Sequence, residues 1–575
     1  MATGGNDPLI TRRQFTGGLL ASTLAGSLGC ETDRTNRRPN VLFVMGDEWR
    51  AQALGYAGDP NAHTPTIDRF AAQSMNFVNA VAGCSVCAPA RASLLTGQYP
   101  LTHGVYINDV PLRPDGPTLA EVFRDAGYNT GYIGKWHLLG SPDGRYGRRD
   151  VYIPEDRRLG FEYWKAAEVS HDYNQSFYYE GADRTRKYWD GYDALAQTED
   201  ACQFVRDRSE SENPYFLVLS WGPPHFPLHT APERYRESYR DRDIVLRPNV
   251  PEEHVEIATS DLRGYYAHIA ALDDCFAQLL AVLEETGTAD DTIVLFTSDH
   301  GDMMESHGLK YKLYPWDESV CVPLLIRSPR HPEWQGATSA ATIDSPDIMP
   351  TLLGLCGIPV PSSVEGTDFS QLLTAADESV APESSFLSLA VPITSARTYG
   401  FAEYRGVRTN RHTYVRSISG PWLLYDNHED PYQMKNLCNS AEHAETQQKL
   451  EVELSRWLDR LQDDFRPGVS YLREDNLEHF LETQFPVGHV ESPWGDWEST
   501  LPRVPGPLST ESALGELLGI RAAVAILEVE LPELTDDPMW WWRSLSPRLM
   551  QQFGYIDVTD SKLRALDEKL GSIPR

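Results

Sequence analysis

The sequence is poor in cysteine, in positive charge and in long apolar runs. Its 575 residues include eight cysteines, too few for a fold built on disulfides. Lysine and arginine number 51 against 83 acidic residues, and this formal net charge of -32 argues against nucleic acid or an anionic membrane as the main partner. We find no stretch long and apolar enough to predict a transmembrane span. An anionic substrate would need a local basic pocket, because the overall field repels it.

Residues 1–37 are predicted to be an export signal and a linker that stand outside the fold. Thr11–Phe15 contains an Arg-Arg pair and precedes a modestly apolar run, Gly17–Gly29. This pattern resembles a twin-arginine export signal and predicts a periplasmic or extracellular location, although such a pair also arises by chance. Cys30 follows a half-matched lipoprotein cleavage box, so lipid anchoring at Cys30 is an alternative.

Short apolar runs predict the strands of a mostly parallel sheet, with helix-like segments between them. The runs are Val41–Met45, Thr130–Ile133, Tyr215–Leu219, Thr292–Phe296 and Pro323–Ile326. The helix candidates include Thr118–Ala126, Asp193–Asp207 and Asp261–Thr286. This alternation predicts an α/β catalytic domain over residues 38–395, with a large sheet sandwiched by helices.

The pattern changes after residue 395. The segment Glu403–Ser417 alternates polar and apolar side chains, and a strand, a turn and a helix start follow it, so residues 396–475 predict a smaller α+β domain with an antiparallel sheet. Residues 476–575 form a C-terminal extension whose fold the pattern does not indicate, apart from a helical stretch at Glu511–Glu528. Trp540–Trp542 in this extension predicts a core or docking plug, or alternatively a sugar-stacking platform.

Polar side chains follow four of the predicted strands. The segments are Gly46-Asp47-Glu48, Gly134-Lys135-Trp136-His137, Pro223-Pro224-His225 and Ser298-Asp299-His300-Gly301. In open α/β sheets, ligands bind beyond the carboxyl ends of the strands. We therefore expect these acids, the lysine and the histidines to meet at one edge of the sheet.

Two cysteines lie three residues apart in the segment GCSVCAPARASLLTG, residues 83–97. A zinc site would need a second ligand pair, a redox pair suits a much smaller domain, and buried thiols are the simplest alternative. Pro89 suits the first turn of a helix that ends at Thr96-Gly97. Cys87 is then predicted at a helix N-terminus, where the dipole favours an anion. Arg91 lies four residues on and can reach back toward Cys87.

The sequence Cys87-Ala88-Pro89-Ala90-Arg91, followed by Thr96-Gly97, resembles the signature of type I sulfatases of the alkaline phosphatase superfamily. Further matches in the family's order are Gly134–His137, Pro224–Pro227, Asp299–Gly301 and Asp426–Leu437, so the resemblance spans about residues 39–475. In that family the signature cysteine is oxidised to formylglycine (3-oxoalanine). The resemblance therefore implies a formylglycine-generating enzyme as a partner, and it leaves Cys84 as a packed thiol.

The resemblance also implies a role for each site residue. A hydrated aldehyde at position 87 would attack sulfur, and its second hydroxyl would then expel sulfate. One divalent metal ion would be held by Asp47, Glu48, Cys87, Asp299 and His300. Arg91, Lys135 and Lys312 would hold formylglycine or sulfate oxygens, His137 would be the base, and His225 with Lys312 the acid for the leaving alcohol.

Three positions need comment. The family commonly has Asp where this chain has Glu48, and Asn is frequent where it has His300. Calcium prefers oxygen ligands and is the first choice, while His300 leaves manganese or zinc open. Lys312 is preferred to the nearby Lys310 by its spacing to Asp317-Glu318.

The sequence predicts an exported sulfatase that acts on sulfate monoesters of a sulfated carbohydrate. The carbohydrate prediction rests on export and on the aromatic-rich insert His171–Asp193, which would line a cleft or else form a packed loop. A phosphonate or phosphate diester hydrolase of the same superfamily and an inactive binding homologue are the alternatives. The sequence indicates neither the sulfate position nor the oligomeric state.

Overall fold

The computed structural model describes residues 37–140, 151–375, 381–393, 396, 399–477, 480, 507–512, 514–535, 546–552 and 556–574. Arg38–Arg575 is one compact unit. The predicted export signal with Cys30 and the run Trp540–Trp542 lie outside the described residues, so these predictions stay predictions.

Ten strands form the larger sheet within the described part of the chain. They are β1 (Asn40–Asp47), β2 (Met75–Val81), β3 (Asn129–Lys135), β4 (Tyr163–Ala167), β5 (Phe177–Glu180), β6 (Asp183–Tyr188), β7 (Tyr215–Pro224), β8 (Thr292–Ser298), β9 (Leu324–Arg327) and β10 (Thr338–Asp344). Their spatial order is β10-β2-β9-β8-β1-β7-β3-β4-β5-β6. The centre from β8 to β4 is parallel, but β9, predicted to be parallel, runs antiparallel to β8 and β2. The sheet is therefore mixed.

The parallel register aligns the strand ends that carry the predicted site residues. Gly46 of β1 lies opposite Ser298 of β8, and Asp47 lies opposite Pro224 of β7. Gly134 of β3 pairs with Ser220 of β7. The loops that follow β1, β3, β7 and β8 therefore leave the sheet side by side, as the strand-end pattern predicts.

Helices cover both faces of this sheet. They are α1 (Pro65–Ala71), α2 (Cys87–Thr96), α3 (Pro100–His103), α4 (Leu119–Asp125), α5 (Asp193–Arg208), α6 (Glu233–Tyr239), α7 (Val255–Glu285), α8 (Asp317–Val320), α9 (Ile348–Leu355) and α10 (Ser370–Ala375). Alternate residues of β1 enter different cores: Phe43 packs in the cluster that contains Leu94 of α2, and Val44 in the cluster that contains Leu272 of α7. The sandwich follows from this period-two alternation, since both faces of β1 are apolar.

The prediction of no transmembrane span is compatible with the one helix, among the described residues, that is long and apolar enough to cross a membrane. Glu252–Glu285 meets that test by length and composition: it has 34 residues, and the apolar window within it has a mean hydropathy of 1.3. However, 72% of its apolar window is buried inside the fold. Buried core helices pass the same test, so one such helix is weak evidence for a membrane span.

A second, four-stranded sheet is antiparallel throughout, as predicted. Its strands are β11 (Ser385–Leu389), β12 (Tyr404–Arg408), β13 (His412–Ser417) and β14 (Gly420–Asp426), and the helices Ala444–Leu461 and Gly468–Glu474 follow. The extension contains Leu514–Leu518, Arg521–Glu530, Pro547–Gln552 and Asp560–Leu570, which share a hydrophobic core of their own. The helix predicted at Glu511–Glu528 is thus two helices, separated at Gly519-Ile520. The predicted domain limits stay a prediction.

Candidate active site

The residues predicted from the strand ends meet at one edge of the larger sheet, and they are buried there. Asp47, Glu48, Asp299 and His300 have no exposed surface, and Lys135 and His225 are 6% and 3% exposed. Lys312 joins them from the segment between β8 and α8. Buried ionisable groups at this density must be paired with one another or bind an ion.

Cys87 is the first residue of α2, as the sequence predicts. Pro89 lies in the first turn, and the helix ends at Thr96. Gly97 follows with a positive φ of 66°, and its N–H donates to the Ser93 carbonyl at 2.9 Å. The N–H of Ala88 donates to Oδ1 of Asn108 at 3.0 Å. Asn108 was not predicted, because that contact comes from a separate loop. Cys84 is a free, buried thiol, and burial raises its pKa to about 12.

Arg91 binds the neighbouring acids, where the sequence predicted a reach toward Cys87. Its Nη2 donates to Oδ2 of Asp47 and its Nε to Oδ2 of Asp299, both at 2.9 Å. Nη1 donates to the Lys135 carbonyl at 2.9 Å and to Oγ of Ser220 at 2.7 Å. A single guanidinium therefore ties together the ends of β1, β3, β7 and β8. Its planar, forked donors suit this task, and a lysine in its place would have a single ammonium.

Lys135 and Arg91 keep Asp47 charged. Burial alone would raise the pKa of Asp47, but the paired Lys135 ammonium, with His225 and Arg91, holds that pKa well below its ordinary value. Asp299 accepts hydrogen bonds from the backbone N–H groups of Glu48 and His300, at 3.1 and 2.9 Å. Both carboxylates are therefore fixed in orientation by the protein itself.

Cys87 lies in a positive environment. Burial alone would raise the pKa of its thiol, but Lys135, Lys312 and His300 hold that pKa well below its ordinary value. Nε2 of His300 lies 3.2 Å from Sγ of Cys87, and Nδ1 of His300 donates to the Gly301 carbonyl at 2.9 Å. This second contact fixes which nitrogen faces Cys87.

Four of these side chains could hold a metal ion. The ligand atoms of Asp47, Cys87, Asp299 and His300 all lie within 4.8 Å of one another. Two carboxylates, one imidazole and the side chain at position 87 form a donor set that suits a divalent cation. Glu48, which was also predicted as a ligand, belongs to a second group of side chains that could hold a metal ion, together with Asp47 and His225.

Glu48 faces the predicted acid residues. Its Oε1 lies 3.0 Å from Nζ of Lys312, and its Oε2 lies 3.2 Å from Nε2 of His225. Lys312 and His225 are themselves 2.9 Å apart. Burial lowers the pKa of His225 to about 3, and the Lys312 ammonium adds to this shift. Lys310 instead pairs with Asp261 at 2.7 Å, so the structure brings Lys312 to the site, as the sequence spacing indicated.

His137 reaches the site with a positive φ of 61°. Its Nε2 lies 3.6 Å from Oδ1 of Asp109. The loop after His137 is held by Glu168, which follows β4 and accepts from the N–H of Gly140 at 2.9 Å. Burial raises the pKa of Glu168 to about 7. Asp109 and Glu168 were not predicted, because both lie far from His137 in the sequence.

The aromatic-rich insert contacts the acid side of the site. His171 stacks on His225, with ring centroids 4.5 Å apart and planes at 6°. Phe226 packs on Tyr311 at 4.7 Å, and the hydroxyl of Tyr173 donates to the Phe226 carbonyl at 3.2 Å. We define His171, Phe226 and Tyr311, all partly exposed, as the aromatic wall. The insert is therefore part of the site's surroundings.

Two further residues hold the loop that carries Asp47 and Glu48. Oγ of Ser298 donates to the Gly46 carbonyl at 3.1 Å and accepts from the Trp49 N–H at 2.9 Å. The hydroxyl of Tyr265, on α7, donates to the Glu48 carbonyl at 2.7 Å. Ser298 could be found from its place at a strand end, whereas Tyr265 has no local signal.

Comparison with known proteins shows which family shares these features. The family model described as Sulfatase matches residues 39–358, and the model N-sulphoglucosamine sulphohydrolase, C-terminal, matches residues 305–460. An "Ulvan-active sulfatase" of Formosa agariphila is 41% identical over 441 residues, which are 76% of this chain and 84% of that protein.

Solved structures are also similar to this chain. One from a study of the metabolism of multiple glycosaminoglycans by Bacteroides thetaiotaomicron is 29% identical, with a TM-score of 0.68 over 77% of this chain and 100% of that one. The phosphonate monoester hydrolase of Agrobacterium radiobacter is 24% identical, with a TM-score of 0.59 over 75% of this chain and 96% of that one. The second similarity shows a shared fold alone.

Proposed function

Since this chain belongs to the sulfatase family, we propose that it hydrolyses sulfate monoesters of sulfated carbohydrates, with a formylglycine made from Cys87 and one divalent metal ion. The observation that carries this proposal is the position of Cys87. It begins a helix, its thiol pKa is held low by Lys135, Lys312 and His300, and it lies in a group of metal-ligand side chains. A nucleophile and an anionic ester both require such a positive environment.

The local charges suit an anionic substrate. Three carboxylates, those of Asp47, Glu48 and Asp299, lie among three fixed cations, Arg91, Lys135 and Lys312. These three cations therefore offset the three carboxylates, although the whole chain carries a formal charge of -32. A bound divalent cation would make the site net positive, which would attract a sulfate ester against the overall field.

Asp47, Asp299, His300 and the modified side chain of Cys87 would hold the metal ion, and Glu48, which neighbours Asp47 in the second group, is the remaining proposed ligand. The ion would polarise the sulfate group and neutralise its charge. Calcium is the first choice because two ligands are carboxylates, and manganese or zinc would suit the imidazole of His300.

The protein's own residues would donate and accept the protons of the reaction. Lys312 and His225 lie together, and either could protonate the alcohol oxygen as its bond to sulfur breaks. His137, with Asp109 at 3.6 Å, would accept the proton whose removal releases sulfate. Arg91 would hold Asp47 and Asp299 in place, because it donates hydrogen bonds to both carboxylates.

Sulfated carbohydrate is the proposed substrate class. The partly exposed aromatic wall stands beside Lys312 and His225, where the leaving alcohol would depart, and aromatic faces suit the apolar side of a sugar ring. The two relatives named above for ulvan and for glycosaminoglycan metabolism support the same class.

The test is a turnover comparison on protein whose Cys87 conversion has been verified by mass spectrometry. A panel of defined sulfated glycans and 4-nitrophenyl sulfate should be cleaved faster than bis(4-nitrophenyl) phosphate and a phosphonate monoester. Faster cleavage of the phosphorus esters would favour the alternative hydrolase and overturn the proposal.

Export and maturation are part of the proposal. We expect residues 1–37 to direct twin-arginine export, with lipid anchoring at Cys30 as the alternative, and a formylglycine-generating enzyme to act on Cys87. Replacement of Arg12 and Arg13 by lysine should retain the protein in the cytoplasm, as cell fractionation would measure. Unchanged export of that variant would contradict the signal assignment.

A further inference from the structure

The hairpin of β5 and β6 carries exposed arginines in a chain that is otherwise strongly acidic. β6 forms one edge of the larger sheet, and Arg184 and Arg186 are exposed on it. Tyr188, the last residue of the same strand, is 60% exposed. The whole chain has a formal charge of -32, so this strand differs in charge from the average surface. Positive and aromatic side chains grouped in this way suit an anionic ligand.

The carboxylates of the hairpin lie on one of its two faces, together with lysines. Lys187 pairs with Glu180, and its Nζ also lies 3.6 Å from Oδ2 of Asp183. Lys165 of β4 lies 3.7 Å from Oε1 of Glu180. Positive and negative charges therefore offset each other on this face.

The arginines lie on the opposite face, where they contact aromatic rings. The guanidinium of Arg186 is 4.4 Å from the ring centre of Phe177, and that of Arg184 is 5.4 Å from the ring centre of Tyr152. The buried Arg158 supports this face, since its Nη2 donates to the Tyr152 hydroxyl at 2.9 Å. We define Arg184, Arg186, Phe177 and Tyr152 as the arginine face. Contact with a ring orders a long side chain in advance, which lowers the entropy cost of binding a ligand.

The strand register places one end of the arginine face at the edge of the sheet where the site lies. Ala167, the last residue of β4, pairs with Lys135, and Ala166 lies opposite Tyr179 of β5. Phe177 precedes Tyr179 in this antiparallel strand, so it lies at the same edge as Lys135. β6 is three strands from β3, or about 14 Å at the usual strand spacing. An oligosaccharide can span that distance, whereas a single sugar ring cannot.

The segment between β4 and β5 connects the site to the arginine face. It contains His171, which stacks on His225, and β5 begins after it at Phe177. A sugar chain with one unit in the site could follow this segment to Arg186. Charges on an edge strand also oppose pairing between sheets, but that task does not require the arginines to share one face.

We propose that the arginine face binds anionic groups on further units of a sulfated polysaccharide chain whose reacting sulfate lies at Cys87. The planar, forked donors of arginine match the oxygens of sulfate and carboxylate groups. This inference rests on the proposed sulfatase function and deepens it, because it makes a chain the preferred substrate over a single sulfated sugar.

The experiment compares the Michaelis constants for a long and a short substrate. Arg184→Gln/Arg186→Gln removes two exposed ion pairs, so KM should rise about tenfold, with kcat unchanged, on a sulfated oligosaccharide that the wild type cleaves. KM for 4-nitrophenyl sulfate, which is too small to reach the arginine face, should be unchanged. Each single variant should raise KM about threefold on the oligosaccharide, which keeps the test available if the double variant does not fold.

Lys187→Gln is the matched control, because it removes the same charge from the opposite face of the same strand. It should leave both Michaelis constants unchanged. An equal rise of KM in this control, no rise in the double variant, or an equal rise on 4-nitrophenyl sulfate would overturn the inference. Arginine-dependent binding to phosphatidylglycerol vesicles, with KM for the oligosaccharide unchanged, would assign the face to a membrane and would also overturn it.

A binding measurement separates this inference from the proposed function. Calorimetry on unconverted protein should show an affinity for a chondroitin sulfate hexasaccharide about tenfold lower in the double variant than in the wild type. Converted wild-type protein that cleaves no sulfate ester would count against the proposed function, and the binding measurement would still decide the role of the arginine face. Equal affinity of the two proteins, including no binding by either, would overturn the inference.

Discussion

Two thiols three residues apart, Cys84 and Cys87, have opposite chemistry in this fold. Both are buried, at 5% and 2% exposure, so burial alone cannot distinguish them. Cys84 packs in a hydrophobic cluster, and burial raises its pKa to about 12. Cys87 begins a helix among Lys135, Lys312 and His300, which hold its pKa well below the ordinary value. The nearby cations therefore determine which of the two buried thiols loses its proton more readily.

The largest expected effect comes from replacing Cys87 itself. Cys87→Ser cannot yield formylglycine by the same oxidation and offers a single hydroxyl, so steady-state turnover should fall roughly 10⁴-fold or more, as for other covalent nucleophiles. Cys84→Ser should retain most of the turnover, because Cys84 lies outside the metal group. Full activity of Cys87→Ser, measured on a sulfate ester, would contradict the proposal that Cys87 and not Cys84 supplies the nucleophile.

Metal removal should have the next largest effect. Several kcal/mol of charge stabilisation would be lost, so dialysis against a chelator should reduce turnover about 10²–10³-fold. Re-addition of calcium, manganese or zinc separately would identify the preferred ion by the activity restored. Cys84→Ala should bind as much metal as the wild type, and activity that survives complete metal removal would contradict the proposed site.

The ionisation of the two thiols sharpens the comparison further. In metal-free, unconverted protein, ultraviolet absorbance should show the Cys87 thiolate forming at lower pH than the reference pKa of 9.0, and the Cys84 thiolate forming near pH 12. Lys135→Met removes an ammonium that stabilises the thiolate, so it should raise the pKa of Cys87 and leave that of Cys84 unchanged. Because five further described thiols also titrate, the difference between the wild type and Cys84→Ala, and between the wild type and Cys87→Ser, would assign each signal.

These two pKa shifts also predict how the free energy of unfolding depends on pH. The depressed pKa of Cys87 stabilises the fold above pH 9.0, and this contribution is lost as the pH falls through the folded-state pKa. The raised pKa of Cys84 acts oppositely: its contribution is complete below pH 9.0 and is lost as the pH rises toward about 12. Urea unfolding across this range should show less alkaline destabilisation in Cys84→Ala than in the wild type.

The smallest expected effect is on the stability of Cys84→Ala near neutral pH. Loss of one buried sulfur atom should cost about 1 kcal/mol in the free energy of unfolding, comparable to the loss of one methylene. Urea denaturation would measure this change, and turnover should be unaffected. A large loss of turnover with normal stability would give Cys84 a role in the chemistry that its packing does not indicate.

Local sequence patterns correctly predicted the strands and the helix that carry the site residues. The apolar runs correspond to β1, β3, β7, β8 and β9, and the residues after four of them meet at one edge because parallel strands end together. Pro89 and Gly97 correctly placed Cys87 at the start of α2. These signals depend on the period of a strand and on the preferences of helix ends, which are local properties.

Contacts between distant segments could not be predicted in the same way. The antiparallel direction of β9 depends on its neighbours β8 and β2. The turn of Arg91 toward two acids depends on Asp299, which lies 208 positions away in the chain. The reach of Glu48 likewise depends on where Lys312 and His225 lie, and no short motif encodes that distance.

The four hydrogen bonds of Arg91 have a consequence for how an ion would bind. Because that guanidinium already holds Asp47 and Asp299, the carboxylates need little reorganisation when a cation arrives. Folding itself, and not the ion, would then supply most of the order of the site. An Arg91→Lys protein should consequently retain the ligand side chains yet bind the cation more weakly. Its Asp47 and Asp299 carboxylates would not be held in orientation before the cation binds.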